Sequence, residues 1–260
     1  MTLVAHRGYS GRAPENTLVA FLLAVAHGYH DIEFDVQLSK DGIPVVIHDD
    51  TVDRTTDGSG AVNQLTFAQL EALDAGSWHS EHFTAHRIPS LLEVLTHLKG
   101  IANLHIELKS TEPELVQKVS ELLKETGWLD DALSQTVRQK AASPVLIVSS
   151  FDRDQLARSI EMLPKNIIHE LLVEKVSDES LQWAADHKVR SYNPDGHDVT
   201  PELIRKARKL HLRVGAWWQT REDQDARALS RVGGHYAFVD SPHLHHEPTL
   251  AQKLKPKRPI

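Results

Sequence analysis

The 260-residue sequence contains no cysteine, and this absence excludes several kinds of chemistry at once. Without thiols there is no disulfide framework, no thiolate zinc site and no cysteine nucleophile. Long apolar runs are also missing. The longest, Leu18–Ala26, has nine residues, whereas a membrane-spanning helix needs about 20. We therefore expect a soluble protein without stable membrane insertion.

A surplus of positive charge is absent as well. The 29 basic and 36 acidic side chains give a formal net charge of −7. Nucleic acids and anionic membrane surfaces attract clustered Lys and Arg, so we expect neither as a partner and expect a small molecule instead. The first residues, Met1–His6, lack a basic region followed by an apolar stretch, which predicts a cytoplasmic location. No pattern in the sequence indicates an oligomeric state.

Short β-rich runs alternate with helical patterns along the whole chain, as is typical of βαβ units and a parallel sheet. Nine strands are predicted, at Leu3–Arg7, Asp31–Leu38, Pro44–His48, Asn103–Lys109, Val145–Phe151, Ile167–Val173, Val189–Asn193, Leu212–Trp218 and Tyr236–Asp240. Leu18, Phe21, Leu22 and Val25 follow a helical spacing, and Thr200-Pro201 is a typical helix start. The chain length suits one α/β domain, so we predict that residues 1–260 form a closed (β/α)8 TIM barrel.

One stretch, residues 49–88, breaks the alternation. It contains Gly58, Gly60 and Gly76 and a single short helical pattern at Phe67–Leu73. Long insertions in barrels usually cap the end where the loops after the strands form the site. We therefore predict that residues 49–88 form a lid or small subdomain that caps this end of the barrel.

The second predicted strand carries two carboxylates on one face. Side chains alternate along a strand, so Glu33 and Asp35 share a face and the apolar Ile32, Phe34 and Val36 share the other. Two buried, unpaired carboxylates are costly and call for a cation, and hard oxygen donors suit Mg²⁺ or Ca²⁺. The alternative is a pair of exposed acids at a strand end, which the apolar neighbours disfavour.

A similar alternation recurs in the strand at Asn103–Lys109. His105, Glu107 and Lys109 lie on one face, so Glu107 offers a third carboxylate and Lys109 a positive charge for an anionic substrate. A Glu–Lys ion pair on an edge strand is the alternative interpretation. His6-Arg7 and His48 follow two other predicted strands. If the two histidines face each other, they can act as proton donor and acceptor near neutral pH, although single histidines at strand ends are mostly structural.

A series of motifs extends this pattern and resembles the glycerophosphodiester phosphodiesterase family. In order, the matching motifs are His6-Arg7-Gly8, Pro14-Glu15-Asn16-Thr17, Glu33-Phe34-Asp35, His48-Asp49, Asp53-Arg54-Thr55-Thr56, Asp74-Ala75-Gly76, Ile88-Pro89-Ser90-Leu91 and Glu107-Leu108-Lys109. The resemblance is dense over residues 3–110 and weaker afterwards. It implies a metal-dependent TIM barrel whose insertion after the second barrel strand helps to form the substrate site.

The resemblance also implies roles for individual residues. Glu33, Asp35 and Glu107 would hold the divalent metal, Mg²⁺ or Ca²⁺. His6 and His48 would be the acid/base pair, with His6 as the acid and His48 as the base. The substrate-binding residues would be Arg7 and Lys109 on the phosphodiester oxygens and Phe151 and Trp217 as an aromatic wall, for which barrel packing is the alternative. Asn16 would support the site.

The family resemblance implies a small-molecule glycerophosphodiester as the substrate and glycerol 3-phosphate and an alcohol as the products. Three departures from the family pattern, His86-Arg87, Trp217-Trp218-Gln219-Thr220 and Val239-Asp240-Ser241-Pro242, leave the alcohol open. A lysophospholipase D with the same core is one alternative function, and the acidic charge counts against it. A non-catalytic phosphodiester-binding barrel is another. It would have a broken carboxylate triad or a missing histidine, and the sequence has neither.

Overall fold

The computed structural model describes residues 1–130 and 145–245, and eight parallel strands in it close into a barrel. The strands are β1 (Thr2–Ala5), β2 (Asp31–Leu38), β3 (Pro44–Val46), β4 (Asn103–Leu108), β5 (Leu146–Ser150), β6 (Ile168–Val173), β7 (Ser191–Pro194), β8 (Arg213–Ala216) and β9 (Tyr236–Val239). The order around the barrel is β1-β9-β8-β7-β6-β5-β4-β2, and Ala5 of β1 pairs with Ile32 of β2 to close it. Strand β3 pairs antiparallel with β2, outside the ring. The predicted TIM barrel is confirmed.

Helices separate the barrel strands. They are α1 (Leu18–Ala26), α2 (Phe67–Glu71), α3 (Leu91–Leu98), α4 (Glu114–Glu125), α5 (Arg153–Met162), α6 (Asp178–Asp186), α7 (Pro201–Lys209), α8 (Ala226–Val232) and α9 (Pro242–His245). Helix α7 begins as the sequence predicted, because the Thr200 side chain accepts a hydrogen bond from the Leu203 amide and Pro201 is the first helical residue. Within the described ranges, no helix combines the length and the apolar character that crossing a bilayer requires.

Strand β2 shows how the alternation positions the site. Phe34 lies on the outer face, where its ring contacts Phe21 of α1 at a centroid distance of 5.6 Å. Ile32 and Val36 are fully buried in the same cluster. Glu33 and Asp35 therefore point into the barrel. The apolar packing of the outer face fixes the strand register, because a slip by one residue would turn the carboxylates outward.

Several strands end one or two residues earlier than the sequence predicted, including the two that precede the site histidines. β1 ends at Ala5 rather than Arg7, because Arg7 and Gly8 adopt left-handed backbone conformations, with φ of 55° and 81°. The Cβ of a larger residue at position 8 would lie 2.8 Å from Ala20, so the turn also needs glycine for close packing. β3 ends at Val46, two residues before His48. Both histidine segments are therefore turns at the ends of strands.

The stretch at residues 49–88 has a small apolar cluster of its own. Helix α2 is shorter than the predicted Phe67–Leu73, and two 3-10 turns, Val62–Gln64 and Glu81–Phe83, accompany it. Val52, Val62 and Leu70 are buried against β3 residues in this cluster. The packing anchors the insertion to β3, beside the carboxyl end of β2.

Candidate active site

A cavity of about 630 Å³ opens at the carboxyl ends of the barrel strands. In TIM barrels this end carries the active site. Eight of the nine predicted site residues line the cavity: His6, Arg7, Glu33, His48, Glu107, Lys109, Phe151 and Trp217. The ninth, Asp35, lies directly behind Glu33 and Glu107 and is 1% exposed. The structure thus brings all nine residues together.

Three carboxylates form the centre of the site. Asp35 and Glu107 are register partners on β2 and β4, and Glu33 lies two residues before Asp35 on the same strand. One oxygen of each lies within 4.8 Å of one oxygen of each of the others, and all three residues are buried. Burial and the neighbouring carboxylate charges raise the pKa of Glu33 well above its ordinary value and that of Glu107 to about 7. Three such carboxylates fit a divalent cation with a preference for oxygen ligands.

Asp35 stays charged in spite of its burial. Burial alone would raise its pKa, but electrostatic interactions with His48, Arg7 and Lys109 hold the pKa of this carboxyl below its ordinary value. The side-chain amide of Asn16 donates a hydrogen bond of 2.8 Å to Asp35 Oδ2. Asn16 itself has a left-handed backbone, with φ of 57°. A fixed carboxylate of this kind is suited to be a permanent metal ligand.

His6 is held by a carboxylate from the far end of the chain. Its Nδ1 lies 2.8 Å from Asp240 Oδ1, and Asp240 directly follows β9. The other ring nitrogen, Nε2, lies 4.0 Å from Glu33 Oε2. Although burial opposes it, the hydrogen bond and charge of His6 hold the pKa of Asp240 below its ordinary value. Asp240 thus fixes the ring so that Nε2 faces the carboxylate cluster.

His48 is also held by an aspartate. Its Nδ1 lies 2.6 Å from Asp49 Oδ1, and its Nε2 lies 3.0 Å from the Lys109 ammonium. An ammonium can only donate, so Nε2 is the acceptor and the ring proton is on Nδ1, toward Asp49. Burial, together with the charges of Arg7 and Lys109, lowers the pKa of His48 although Asp35 acts to raise it. His48 therefore presents an unprotonated nitrogen to the cavity.

Arg7 connects the carboxylates to the insertion. Its amide donates to Glu33 Oε2 at 2.8 Å, and its guanidinium contacts Glu15 at 2.8 Å and Asp35 at 3.5 Å. Arg54 of the insertion donates to both oxygens of Glu15, at 2.7 and 2.9 Å, and to Asp49. This chain of charged hydrogen bonds ties the insertion to Asp49, the residue that holds His48.

An aromatic wall closes one side of the cavity. Phe151 follows β5, and its ring meets the Trp217 ring edge to face, with centroids 5.4 Å apart. The Trp217 indole donates to the Asn193 carbonyl at 3.1 Å, which fixes its orientation. The Lys109 ammonium lies 5.6 Å from the Phe151 ring centroid. The wall and the lysine thus face the same space.

The sequence analysis missed the partners of the two histidines. In the sequence, Asp49, Asp240 and Glu15 stand out only as members of longer motifs. A signal was available, because Asp240 directly follows the last predicted barrel strand, at the end of the barrel where site residues cluster. Arg54 carried no such signal, because it lies within the insertion.

The chain is similar to known proteins along most of its length. A sequence model described as the glycerophosphoryl diester phosphodiesterase family matches residues 6–244. A glycerophosphodiester phosphodiesterase of Caldanaerobacter subterraneus is 33% identical over 92% of this chain and 94% of its own length. A putative glycerophosphodiester phosphodiesterase of Bacillus subtilis is 43% identical, over 63% of each chain.

Solved structures show the same architecture. An Oleispira antarctica phosphodiesterase in complex with the product sn-glycerol-3-phosphate is 31% identical, with a TM-score of 0.80 over 94% of this chain and 95% of that one. A glycerophosphodiester phosphodiesterase from Agrobacterium tumefaciens is 29% identical, with a TM-score of 0.76 over 94% of this chain and 99% of the other.

Proposed function

Because this chain belongs to the glycerophosphoryl diester phosphodiesterase family, we propose that it hydrolyses glycerophosphodiesters to glycerol 3-phosphate and an alcohol. One observation carries the proposal: a buried three-carboxylate cluster shares one cavity with two histidines, each hydrogen-bonded to its own aspartate. A barrel that only bound phosphodiesters would not need this paired arrangement. The bound product in the Oleispira relative supports the same reaction class.

Glu33, Asp35 and Glu107 are the residues that would hold the divalent metal on which the family depends. Their chemistry fits the ion, because three buried carboxylates without a cation repel one another, and oxygen-only donor sets suit Mg²⁺ or Ca²⁺ better than zinc. When bound, the metal neutralises charge on the phosphoryl oxygens. The ion in this proposal is Mg²⁺ or Ca²⁺.

Arg7 and Lys109 bind the phosphodiester in this proposal. Both line the cavity beside the carboxylate cluster, and both carry a positive charge at neutral pH. Although burial lowers it, the charges of Glu107 and Asp35 and the Glu107 hydrogen bond keep the pKa of Lys109 raised. A fixed cation in a partly buried site stabilises the developing negative charge of the transition state more strongly than it would in water.

The two histidines divide the proton transfers. His48 has its unprotonated Nε2 toward the cavity and its proton held by Asp49, so it takes the proton from the attacking hydroxyl, which is water or the glycerol hydroxyl of the substrate. His6, whose ring Asp240 orients with Nε2 toward the carboxylate cluster, gives a proton to the departing alcohol oxygen. Losing either histidine should reduce the rate by about 10²–10⁴.

Phe151 and Trp217 complete the substrate site as the surface against which the glycerol carbons pack. The rings form one continuous apolar wall beside Lys109. The wall excludes water from one side of the reacting phosphodiester, which strengthens the charge interactions on the other side.

The test is release of glycerol 3-phosphate from glycerophosphocholine by the purified protein, with and without EDTA. Variants His6→Ala and Glu33→Ala are measured beside His97→Ala, which replaces an exposed histidine on α3. We expect activity that EDTA abolishes, that both site variants lose, and that the control retains. No product with either Mg²⁺ or Ca²⁺ across several head groups would contradict the proposal. Cleavage of lysophosphatidylcholine in preference to glycerophosphocholine would instead favour the lysophospholipase D alternative.

A further inference from the structure

A second concave site lies at the opposite end of the barrel from the cavity described above. It has a volume of about 290 Å³ and lies where β7, β8 and β9 begin. Eight residues line it, of which five are basic and none is acidic: Arg190, Arg208, His211, Arg213 and His235. We call it the base pocket. In a chain with a net charge of −7, a concave surface lined only by basic and aliphatic side chains is unusual.

The backbone of the barrel forces these side chains together. Arg190 directly precedes β7, and its carbonyl accepts the Arg213 amide of β8 at 3.0 Å. His235 directly precedes β9, and its amide donates to the Val214 carbonyl at 2.7 Å. Arg208 comes from the last turn of α7. Its guanidinium lies beside Gly233, 3.9 Å from where a Cβ atom on that glycine would be. The pocket is thus part of the rigid strand framework.

Among the described residues, no carboxylate forms an ion pair with the arginines of the pocket, Arg190, Arg208 and Arg213. The carboxylates inside the barrel, Asp31 and Glu170, approach His105 instead, at 3.7 and 3.6 Å. Converging cations without an anion repel one another, and this repulsion is relieved when an anion binds between them.

The available donors suit an oxyanion. Arg213 donates from one guanidinium nitrogen to the Tyr236 hydroxyl at 2.7 Å, which fixes the position of its remaining donors. The Val214 amide donates to Nδ1 of His235 at 3.3 Å, so the neutral ring carries its proton on Nε2, as a further donor. Burial and the charges of Arg213, Arg208 and the amino terminus lower the pKa of His235, which keeps that ring neutral. Guanidinium groups bind phosphate through paired hydrogen bonds.

We propose that the base pocket binds the phosphate group of a small phosphorylated molecule, at a site separate from catalysis. The volume accommodates a phosphate with a short ester chain and is less than half that of the catalytic cavity. Arg190 and Arg208 hold the phosphate oxygens, and the fixed donors of Arg213 and His235 complete the site. The position at the amino ends of the strands keeps this phosphate away from the catalytic carboxylates.

The experiment follows the backbone amides of the full chain by NMR, in buffer containing Mg²⁺, during titration with inorganic phosphate and, separately, with glycerol 3-phosphate. Sodium chloride at matched ionic strength is the reference. We expect the amide signals of Leu212, Arg213 and His235 to shift together along one saturable curve. Signals of the catalytic cavity, such as those of Glu107 and Ser149, report binding there separately. If inorganic phosphate saturates the shifts, the phosphate group alone is sufficient for binding. If only glycerol 3-phosphate saturates them, the pocket recognises the phosphate together with its ester chain.

Two matched variants test the assignment. Arg208→Ser removes one pocket cation, and Arg205→Ser removes an exposed cation of the same helix that does not line the pocket. Arg208→Ser should weaken binding about tenfold or more, the usual effect of losing a charge-assisted hydrogen bond, and Arg205→Ser should leave it unchanged. Both should keep wild-type hydrolysis of glycerophosphocholine. Shifts no larger than those from sodium chloride, or equal losses in both variants, would overturn the proposal.

Discussion

Single residues in unusual backbone conformations position the site. Arg7 and Asn16 both have left-handed backbones, with φ of 55° and 57°. The backbone amide of Asn16 donates to the Arg7 carbonyl at 3.1 Å. The same turn lets the Arg7 amide reach Glu33 and the Asn16 side chain reach Asp35. Left-handed conformations are unfavourable for residues other than glycine, although asparagine tolerates them better than most. The unfavourable backbone conformations of Arg7 and Asn16 therefore allow the contacts that orient the carboxylates of Glu33 and Asp35.

Replacing Asn16 by glycine separates the backbone role from the side-chain role. Asn16→Gly keeps the left-handed turn available but removes the 2.8 Å hydrogen bond to Asp35. Because groups that orient metal ligands typically contribute 10–100-fold to metal affinity or activity, we expect the half-saturating metal concentration to rise by roughly that factor. The measurement is hydrolysis of glycerophosphocholine as a function of metal concentration.

Lys188→Gly is the matched control for this variant. Lys188 also has a left-handed backbone, with φ of 57°, but it is exposed in the turn between α6 and β7, outside the cavity lining. Its replacement should leave the metal dependence unchanged. If Asn16→Gly and Lys188→Gly have the same half-saturating concentration, the hydrogen bond to Asp35 does not support metal binding.

At the scale of the elements, each barrel strand has two faces with different functions. β6 directs Glu170 into the barrel, and it directs His169 outward against helix α5, where Nε2 lies 2.9 Å from the Ser159 hydroxyl. His169 is 8% exposed, and burial lowers its pKa to about 4 although hydrogen bonds to the backbone at Ile167 and Ser159 act to raise it. The contact between α5 and β6 thus depends on a neutral imidazole.

This contact makes stability depend on pH. Between pH 6.5, the ordinary pKa of histidine, and about pH 4, the unfolded chain binds a proton that the folded chain does not, so the free energy of unfolding falls as pH decreases. From pH 7 to pH 5 this histidine should contribute a loss of up to about 2 kcal/mol. Urea unfolding of wild type and His169→Gln at both pH values measures it. An equal loss in both proteins would show that His169 does not carry the effect.

At the scale of the whole molecule, charge is separated between the two ends of the barrel. The carboxyl end carries the three-carboxylate cluster with its surrounding cations, and the amino end carries the arginines of the base pocket. Mutual repulsion of the three buried carboxylates opposes folding, because the charged form of each is desolvated and faces like charges. A bound divalent cation relieves this repulsion, which couples metal binding to global stability.

Metal should therefore raise the melting temperature of the wild type. At a metal concentration about a hundredfold above Kd, binding contributes about 2.7 kcal/mol, which corresponds to roughly 5–10 °C for a chain of this size. Glu33→Gln should lose most of this increase. In EDTA the same variant should be at least as stable as wild type, because one of the repelling carboxylates is gone.

Glu174→Gln, at the rim of the cavity, is the control and should keep the full increase in melting temperature. Equal metal-induced shifts in wild type and Glu33→Gln would contradict the assignment of the metal ligands.

The sequence alone determined the local features of this protein. Period-two alternation placed Glu33 and Asp35 on one face of β2 and Glu107 on the matching face of β4, because an apolar outer face must pack against helices. The same alternation of strands and helices predicted the barrel, and the motifs at the strand ends predicted the family. The hydrophobic pattern did not indicate where strands end. The left-handed turn at Arg7-Gly8, for example, ends β1 without changing that pattern.

Only the tertiary structure decided which groups act as partners. Closure of the barrel sets β9 beside β1, so Asp240 reaches His6 across 234 positions, and Lys109 reaches His48 across 61. The base pocket depends on the same closure, because Arg190 precedes β7, Arg208 lies in α7 and Arg213 begins β8, and no motif joins them. Hydrophobic periodicity records which face of an element is buried, but it holds no information about which side chains from distant elements meet.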